Sequence, residues 1–370
     1  MLFLFLFGLF LAVSDGQVLD GTKELKFVQV VWRHGDRSPT DTFPTDYFQE
    51  SAWKFGGGGW GQLSPLGMSQ HLRLGKRLRA RYVTGGTYSF LPPVYDSKVM
   101  YQWRICWECT DRADITVLQA LIFPQDDDWP TGFVPVPIHT VDYDTDYIAN
   151  MDCICQRRDW LWEMAQKSDE VSAWENSDQV AGLMKNLTVL CGKSYAMADL
   201  WVVADSLLIE QIYFNATLRQ QNSWFNDDLY NQIVNVNDQS YFYQYGVFKN
   251  PVMMNGLDIG KELQIIRAGS LLNDLSMHIQ LKSDCSSAAK KDGCDWINGL
   301  KYYVYSAHDE TVYSLLVALG IEKYAITPHG YPLYSAAGIV EYWYDNADKK
   351  DYFKGAWSKP PPFARHGKNA

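Results

Sequence analysis

The chain has 370 residues, of which 47% are hydrophobic and 21% charged, ordinary usage for a globular protein. That length can bury a large core without disulfide or metal staples and suggests roughly two to three domains. Composition excludes a collagen, a coiled coil and a disordered chain, and the formal net charge of −10 makes a nucleic-acid partner a poor match. Anions must therefore be bound by a local arginine cluster working against the global field.

Residues 1–13 carry no charge and are almost wholly apolar, yet the run is too short to span a bilayer. Ser14 and Gly16 supply the small residues of a cleavage site before Gln17. Residues 1–16 are thus expected to be a secretory signal peptide, and the mature chain to be secreted, with a lysosomal destination open. No later apolar run is long enough for a membrane span. Two sequons, Asn186-Leu187-Thr188 and Asn215-Ala216-Thr217, are expected glycosylation sites. The seven cysteines are 106, 109, 153, 155, 191, 285 and 294. In an oxidising compartment most are expected to pair, and the odd number leaves one over.

In chain order, residues 26–32 form a β-branched and aromatic run that reads as a buried strand. Gly56 to Gly59 is a four-glycine loop. Ser64-Pro65 places a capping Ser before Pro at the first helical position, and Met68, Leu72, Gly75, Leu78 and Tyr82 continue an amphipathic helix to about Val83. Short strands are expected near 98–103 and 133–138. Between 157 and 280 charges and apolar residues alternate at helical spacing, with helices expected at about 197–213 and 260–281. Residues 301–306 read as a strand, and a helix with Val312, Leu315, Leu316 and Leu319 on one face follows, stopped by Gly320.

The chemistry concentrates at two strand ends. Arg33-His34-Gly35-Asp36-Arg37-Ser38-Pro39 follows the first strand, and open α/β sheets bind ligands at the carboxyl ends of their strands. Guanidinium forks suit phosphate oxygens, a neutral imidazole is a competent nucleophile, and Gly35 lets backbone approach an anion. The same Arg-His-Gly recurs at Arg365-His366-Gly367 in a polar tail that follows no strand, and that copy reads as accidental. The second strand end is His308-Asp309, at the start of a helix whose free N–H groups favour anions. His308 can donate to a phosphoryl oxygen there, and Asp309 can either protonate a departing oxygen or simply cap the helix.

Residues 27–39 resemble the opening of the histidine acid phosphatase family, with its Arg-His-Gly-x-Arg-x-Pro signature. Trp60 to His71 resembles the family's next block, Tyr305 to Thr311 its His-Asp block, and Gly338 to Trp343 the strand that follows. The resemblance implies an α/β fold: a parallel-sheet core sandwiched by helices, with an inserted, mostly helical cap. The core would take residues 17–150 and 296–358, the cap 151–295, and 359–370 would be a tail. It implies hydrolysis of small phosphomonoesters through a phosphohistidine, with no metal and no other cofactor, and with inorganic phosphate as product and inhibitor. His34 would be the nucleophile, Arg33, Arg37 and His308 phosphate ligands, and Asp309 the proton donor. A homodimer stays open.

The family's third phosphate arginine is harder to assign. Arg112, in Thr110-Asp111-Arg112 upstream of Ile122-Phe123-Pro124, is the first candidate. Ala113 and Asp114 replace the expected Thr and Leu, and Arg104 is a second candidate. That irregular segment keeps a second reading open, a secreted binding protein of phosphatase fold with little activity. It also contains Cys106-x-x-Cys109, a spacing known from zinc sites, but Cys153-x-Cys155 is too tight for a second half, and disulfides or divergent packing fit a secreted chain better. Broad phosphomonoesters, phytate and nucleotides all stay open as substrates.

Overall fold

The computed structural model describes residues 21–84, 90–106, 136–286, 293–326 and 330–358, and of 104–106 the backbone alone. The expected signal peptide, Arg112, Cys109 and the tail from 359 lie outside the described residues. The first strand, β1 (Lys23–Arg33), is longer than its apolar run and almost wholly buried. Its side chains alternate between two faces of a sheet, as strand geometry requires. Phe27 and Val31 join one hydrophobic cluster and Val28, Val30 and Trp32 another. Leu25 breaks the parity and sits with the second set, because a register shift between Leu25 and Phe27 inserts a bulge.

Five more strands complete the main sheet: β2 (Met100–Cys106), β3 (His139–Asp142), β6 (Tyr302–Ala307), β7 (Ala337–Asp345) and β8 (Lys350–Ser358). A separate two-stranded ribbon is formed by β4 (Met253–Met254) and β5 (Leu257–Asp258). The main sheet runs β3-β2-β6-β1-β7-β8. Its first four strands are parallel, whereas β7 and β8 form an antiparallel edge. The chain forces that edge. After the helix that follows β6 it returns to the carboxyl end of β1, where Arg33 N–H donates to Ala336 O (3.0 Å) and Ser335 N–H donates to His34 O (2.9 Å). A strand leaving from there must run back along β1, and the short turn into β8 permits only an antiparallel partner. Of the strand expected near 133–138, residues 133–135 lie outside the described residues and 136–138 are in no strand; β3 begins just after them.

Helices cover both faces. Before α1 (Pro65–Tyr82), Ser64 accepts from Gly67 N–H at 2.9 Å, and the helix packs Leu74, Leu78 and Tyr82 onto Val28, Val30 and Trp32. The helical middle comprises α2 (Gln156–Gln166), α3 (Asp169–Glu175), α4 (Asp178–Cys191), α5 (Trp201–Gln221), α6 (Asp227–Gln244) and α7 (Ile259–Ser286). The short α8 (Asp295–Gly299), α9 (Asp309–Ala318) and α10 (Glu322–Ala325) follow. On the sheet's other face, Leu271 and Leu275 of α7 and Val312, Leu315 and Leu316 of α9 meet Phe27, Val31, Tyr303 and Tyr305. Phe43, Phe48 and Trp53 lie in one cluster with Val180, Leu183, Val203, Leu207, Ile233 and Val236, so the loop after β1 is held by α4, α5 and α6. Among the described residues no helix is long and apolar enough to cross a membrane.

Pairing of most cysteines was expected. Among the described residues Cys285 and Cys294 are bonded, while Cys153, Cys155 and Cys191 are free thiols.

The tightest backbone approach joins α1 to the loop after β1. A Cβ on Gly35 would stand 2.6 Å from Gly67 O, and one on Gly67 would overlap the Asp36 carbonyl oxygen. Backbone cannot yield as a flexible side chain does. Gly67→Ala should therefore cost about 1–3 kcal/mol, the usual cost of overpacking, and displace the Asp36 backbone. Thermal unfolding of Gly67→Ala beside Ser69→Ala, at an exposed position of the same helix, checks this. Equal melting temperatures would contradict it.

Candidate active site

Parallel pairing of β1 with β6 sets Arg33 opposite Ala307, so the next residue on each strand, His34 and His308, emerge side by side. His34 N–H donates to Ala307 O (3.2 Å), and the two imidazole centroids stand 5.5 Å apart with the rings 68° from coplanar.

His34 Nδ1 lies 2.8 Å from Gly35 O. A carbonyl oxygen only accepts, so Nδ1 carries the ring proton and Nε2 presents its lone pair. His34 is 3% exposed. Burial, then the charges of Arg37, Arg33 and His308, hold its pKa well below the ordinary imidazole range. The imidazole is neutral where an ordinary histidine is protonated.

Two guanidinium groups flank it. Arg33 donates through Nη1 to Pro332 O (2.7 Å), pairs through Nη2 with Asp309 Oδ2 (3.0 Å), and lies over the Tyr334 ring at 4.3 Å. Its buried Nε has no partner among the described residues. Arg37 donates through Nη1 to Asp205 Oδ2 at 2.9 Å and to Ser38 O at 3.2 Å. Burial acts to lower its pKa, but the charge of Asp205 outweighs that and holds it above the ordinary value. Between them, Asp36 turns away from the site. Its Oδ2 accepts from Ser64 Oγ (2.5 Å) and from the Tyr213 hydroxyl, and its N–H donates to Gln70 Oε1 (2.8 Å). The loop is thereby tied to α1 and α5.

On β6's side, His308 occupies the cap position of α9 and makes no capping bond, while Asp309 is the first helical residue. The cap position considered for Asp309 thus belongs to the residue before it. Asp309 Oδ1 accepts from Glu310 N–H (3.1 Å), leaving Oδ2 toward Arg33. Behind it, burial and the charge of Asp152 push Glu310 well above the carboxylate range, so Glu310 holds a proton and shares it with Asp152, which has Arg267 at 3.8 Å and Arg158 at 3.7 Å.

The structure thus brings His34, Arg33, Arg37, His308 and Asp309 together at one strand end. Arg104 falls on β2 opposite Ser306, with its side chain outside the described residues, as is the whole of Arg112. Asn186 and Asn215 are exposed, on α4 and α5. Sequence reasoning missed Asp205, Tyr213, Pro332 and Tyr334. No local motif marks them, because they arrive from a distant helix and from the return loop before β7. The faint signals were a polar Asp on the apolar stretch of α5 and the aromatic run just upstream of Gly338.

A strand-end site with a neutral imidazole between two guanidinium groups, and a carboxyl at the start of the helix after the neighbouring strand, is built for phosphoryl transfer on an α/β fold. The family model of the histidine phosphatase superfamily (branch 2) matches residues 24–356, and the chain belongs to that family: it is a phosphatase. Human prostatic acid phosphatase is 32% identical over 94% of this chain and 80% of its own length. The lysosomal acid phosphatase of Xenopus laevis is 28% identical over 92% of this chain and 72% of its own. In fold, the chain resembles the Klebsiella sp ASR1 phytase, with a TM-score of 0.59 and 14% identity over 91% of this chain and 82% of that one.

The depressed pKa of His34 has a consequence for stability. The native ring refuses a proton that the unfolded chain accepts below about pH 6.5, so His34 withdraws stability as pH falls through that value. The decline should approach but not exceed about 1.4 kcal/mol per pH unit. His34→Gln should lose this part of the acid-side decline, measured by denaturant unfolding at pH 7 and pH 5. Parallel pH dependence of both proteins would contradict it.

Proposed function

We propose that the protein is a secreted acid phosphatase that hydrolyses small phosphomonoesters through a phosphohistidine on His34, without metal. The observation that carries this reading is the His34 Nδ1 contact with Gly35 O, which fixes the tautomer that exposes a lone pair on Nε2. Nε2 attacks phosphorus as the ester P–O bond breaks. Arg33, Arg37 and His308 donate to the phosphoryl oxygens, where charge is spread in the transition state. Asp309, starting protonated, gives its proton to the departing alkoxide. The resulting carboxylate then takes a proton from water attacking the phosphohistidine, the P–N bond breaks, and inorganic phosphate leaves. Arg112 is carried as the third phosphate arginine by resemblance alone, with Arg104 as the alternative.

The domain division follows the same reading. The sheet, with residues 17–150 and 296–358, forms the core, and 151–295 form the cap. Helix α7 spans both: Ile259 and Leu263 pack with Leu161 and Ala165 of α2, while Leu271 and Leu275 pack on the sheet. Secretion rests on the apolar N-terminal run and the sequons, with glycans at Asn186 and Asn215.

Turnover of an aryl phosphate by the purified protein, set against His34→Ala, tests the proposal. Activity should peak on the acid side, at about pH 4–6, because the lowered pKa keeps the His34 nucleophile neutral there while acid favours a protonated leaving-group donor. It should survive EDTA, and it should vanish in His34→Ala. No turnover by the unaltered protein, or undiminished turnover by the variant, would overturn it.

The role of Asp309 has its own test. Asp309→Asn keeps the shape and cannot donate an acidic proton. Hydrolysis of alkyl phosphates should fall roughly a hundredfold or more, and that of nitrophenyl phosphate, whose leaving group scarcely needs a proton, much less. Equal losses on both would make Asp309 an orienting residue.

A further inference from the structure

Helix α5 reaches the loop after β1 at three points. Asp205 accepts from Arg37, Ser206 Oγ donates to Asp41 O (2.9 Å), and Tyr213 donates to Asp36. Asp205 and Tyr213 lie eight residues apart, two helical turns, so they share a face. The side chains of Asp205 and Arg37 are 15% and 12% exposed, and so poorly screened. The tie is more than mechanical, because Asp205 brings a full negative charge to a guanidinium proposed to bind phosphate. Arg33 is likewise paired with a carboxylate, that of Asp309. Asp309, however, loses its charge when it holds the proton for the leaving group, whereas Asp205 has no such step.

We propose that Asp205 is a specificity-determining residue: its fixed charge beside Arg37 tempers the cation field, so that the site favours singly over doubly charged phosphate and lets product phosphate go. This rests on the proposed reading of the site. Among the described residues, the groups that face Asp205 are Arg37 and Asp36 of the loop, Tyr334 of the return loop and Tyr230 of α6. Of these, Arg37 is the one cation. A ligand anion on Arg37 must therefore share it with Asp205, and the penalty grows with the ligand's charge.

The test is Asp205→Asn, which keeps an acceptor oxygen for Arg37 and removes the charge. The probe is inorganic phosphate, with binding read both as protection against thermal unfolding and as competitive inhibition of aryl phosphate hydrolysis. Removing one negative charge should tighten phosphate about fivefold near pH 5, where the monoanion dominates. By the doubled Coulomb energy, it should tighten it by roughly 25-fold near pH 8, where the dianion dominates. Asp205→Glu should restore the unaltered protein's affinities, and guards against a variant that merely folds poorly. A residue that only held the helix in place would weaken phosphate equally at both pH values. That result, or an unchanged affinity, would overturn the proposal. A protein that neither binds phosphate nor turns over any ester before substitution would instead sink the reading of the site on which this one rests.

Discussion

The parallel pairing of β1 with β6 is the interaction on which the rest depends. Register alone sets Arg33 against Ala307 and delivers two histidines, 274 residues apart in sequence, to the same strand end. A slip of one residue would turn every side chain of β1 to the wrong face. Such a slip is blocked from both sides: Val28, Val30 and Trp32 are committed to α1, Phe27 and Val31 to α7 and α9. Trp32 Nε1 adds a donor to Ser306 Oγ across the pair (3.2 Å). The hydrophobic core thus acts on catalysis directly, by holding the register that makes the site.

Around that register the loop after β1 is over-determined. Gly35 and Gly67 allow backbone to meet backbone, Asp36 is bound by Ser64, Gln70 and Tyr213, and Ser335 anchors the carbonyl of His34. None of these bonds uses the imidazole Nε2 or a guanidinium nitrogen. The loop backbone is thus held by atoms other than Nε2 of His34, whereas Arg33 and Arg37 are positioned through their own guanidinium nitrogens, by Pro332, Asp309, Asp205 and Ser38.

Much of this was legible in the sequence for a physical reason. The strands, the Ser64-Pro65 helix start and the two strand-end motifs are local patterns, and the elements that carry His34, Arg37 and Asp309 are set by residues within one turn or one strand of them. The antiparallel edge was not legible, because it is decided by where the return loop docks, at Ser335 and Ala336. Asp205 and Tyr213 were hidden for a similar reason: their partners lie more than 160 residues away, and on the helix they are only polar residues on an otherwise ordinary face. The third phosphate arginine was uncertain in the sequence, where the Arg112 segment departs from the family pattern.

The central claim is that the fold presents Nε2 of His34, and no other atom, to phosphorus. Acid-sparing rapid quench of the enzyme during turnover of a phosphorus-labelled ester, followed by base digestion and identification of the phosphohistidine isomer, addresses it directly. The account predicts base-stable label on His34, attached at Nε2. Label attached at Nδ1, or label that persists undiminished in His34→Ala, would contradict it.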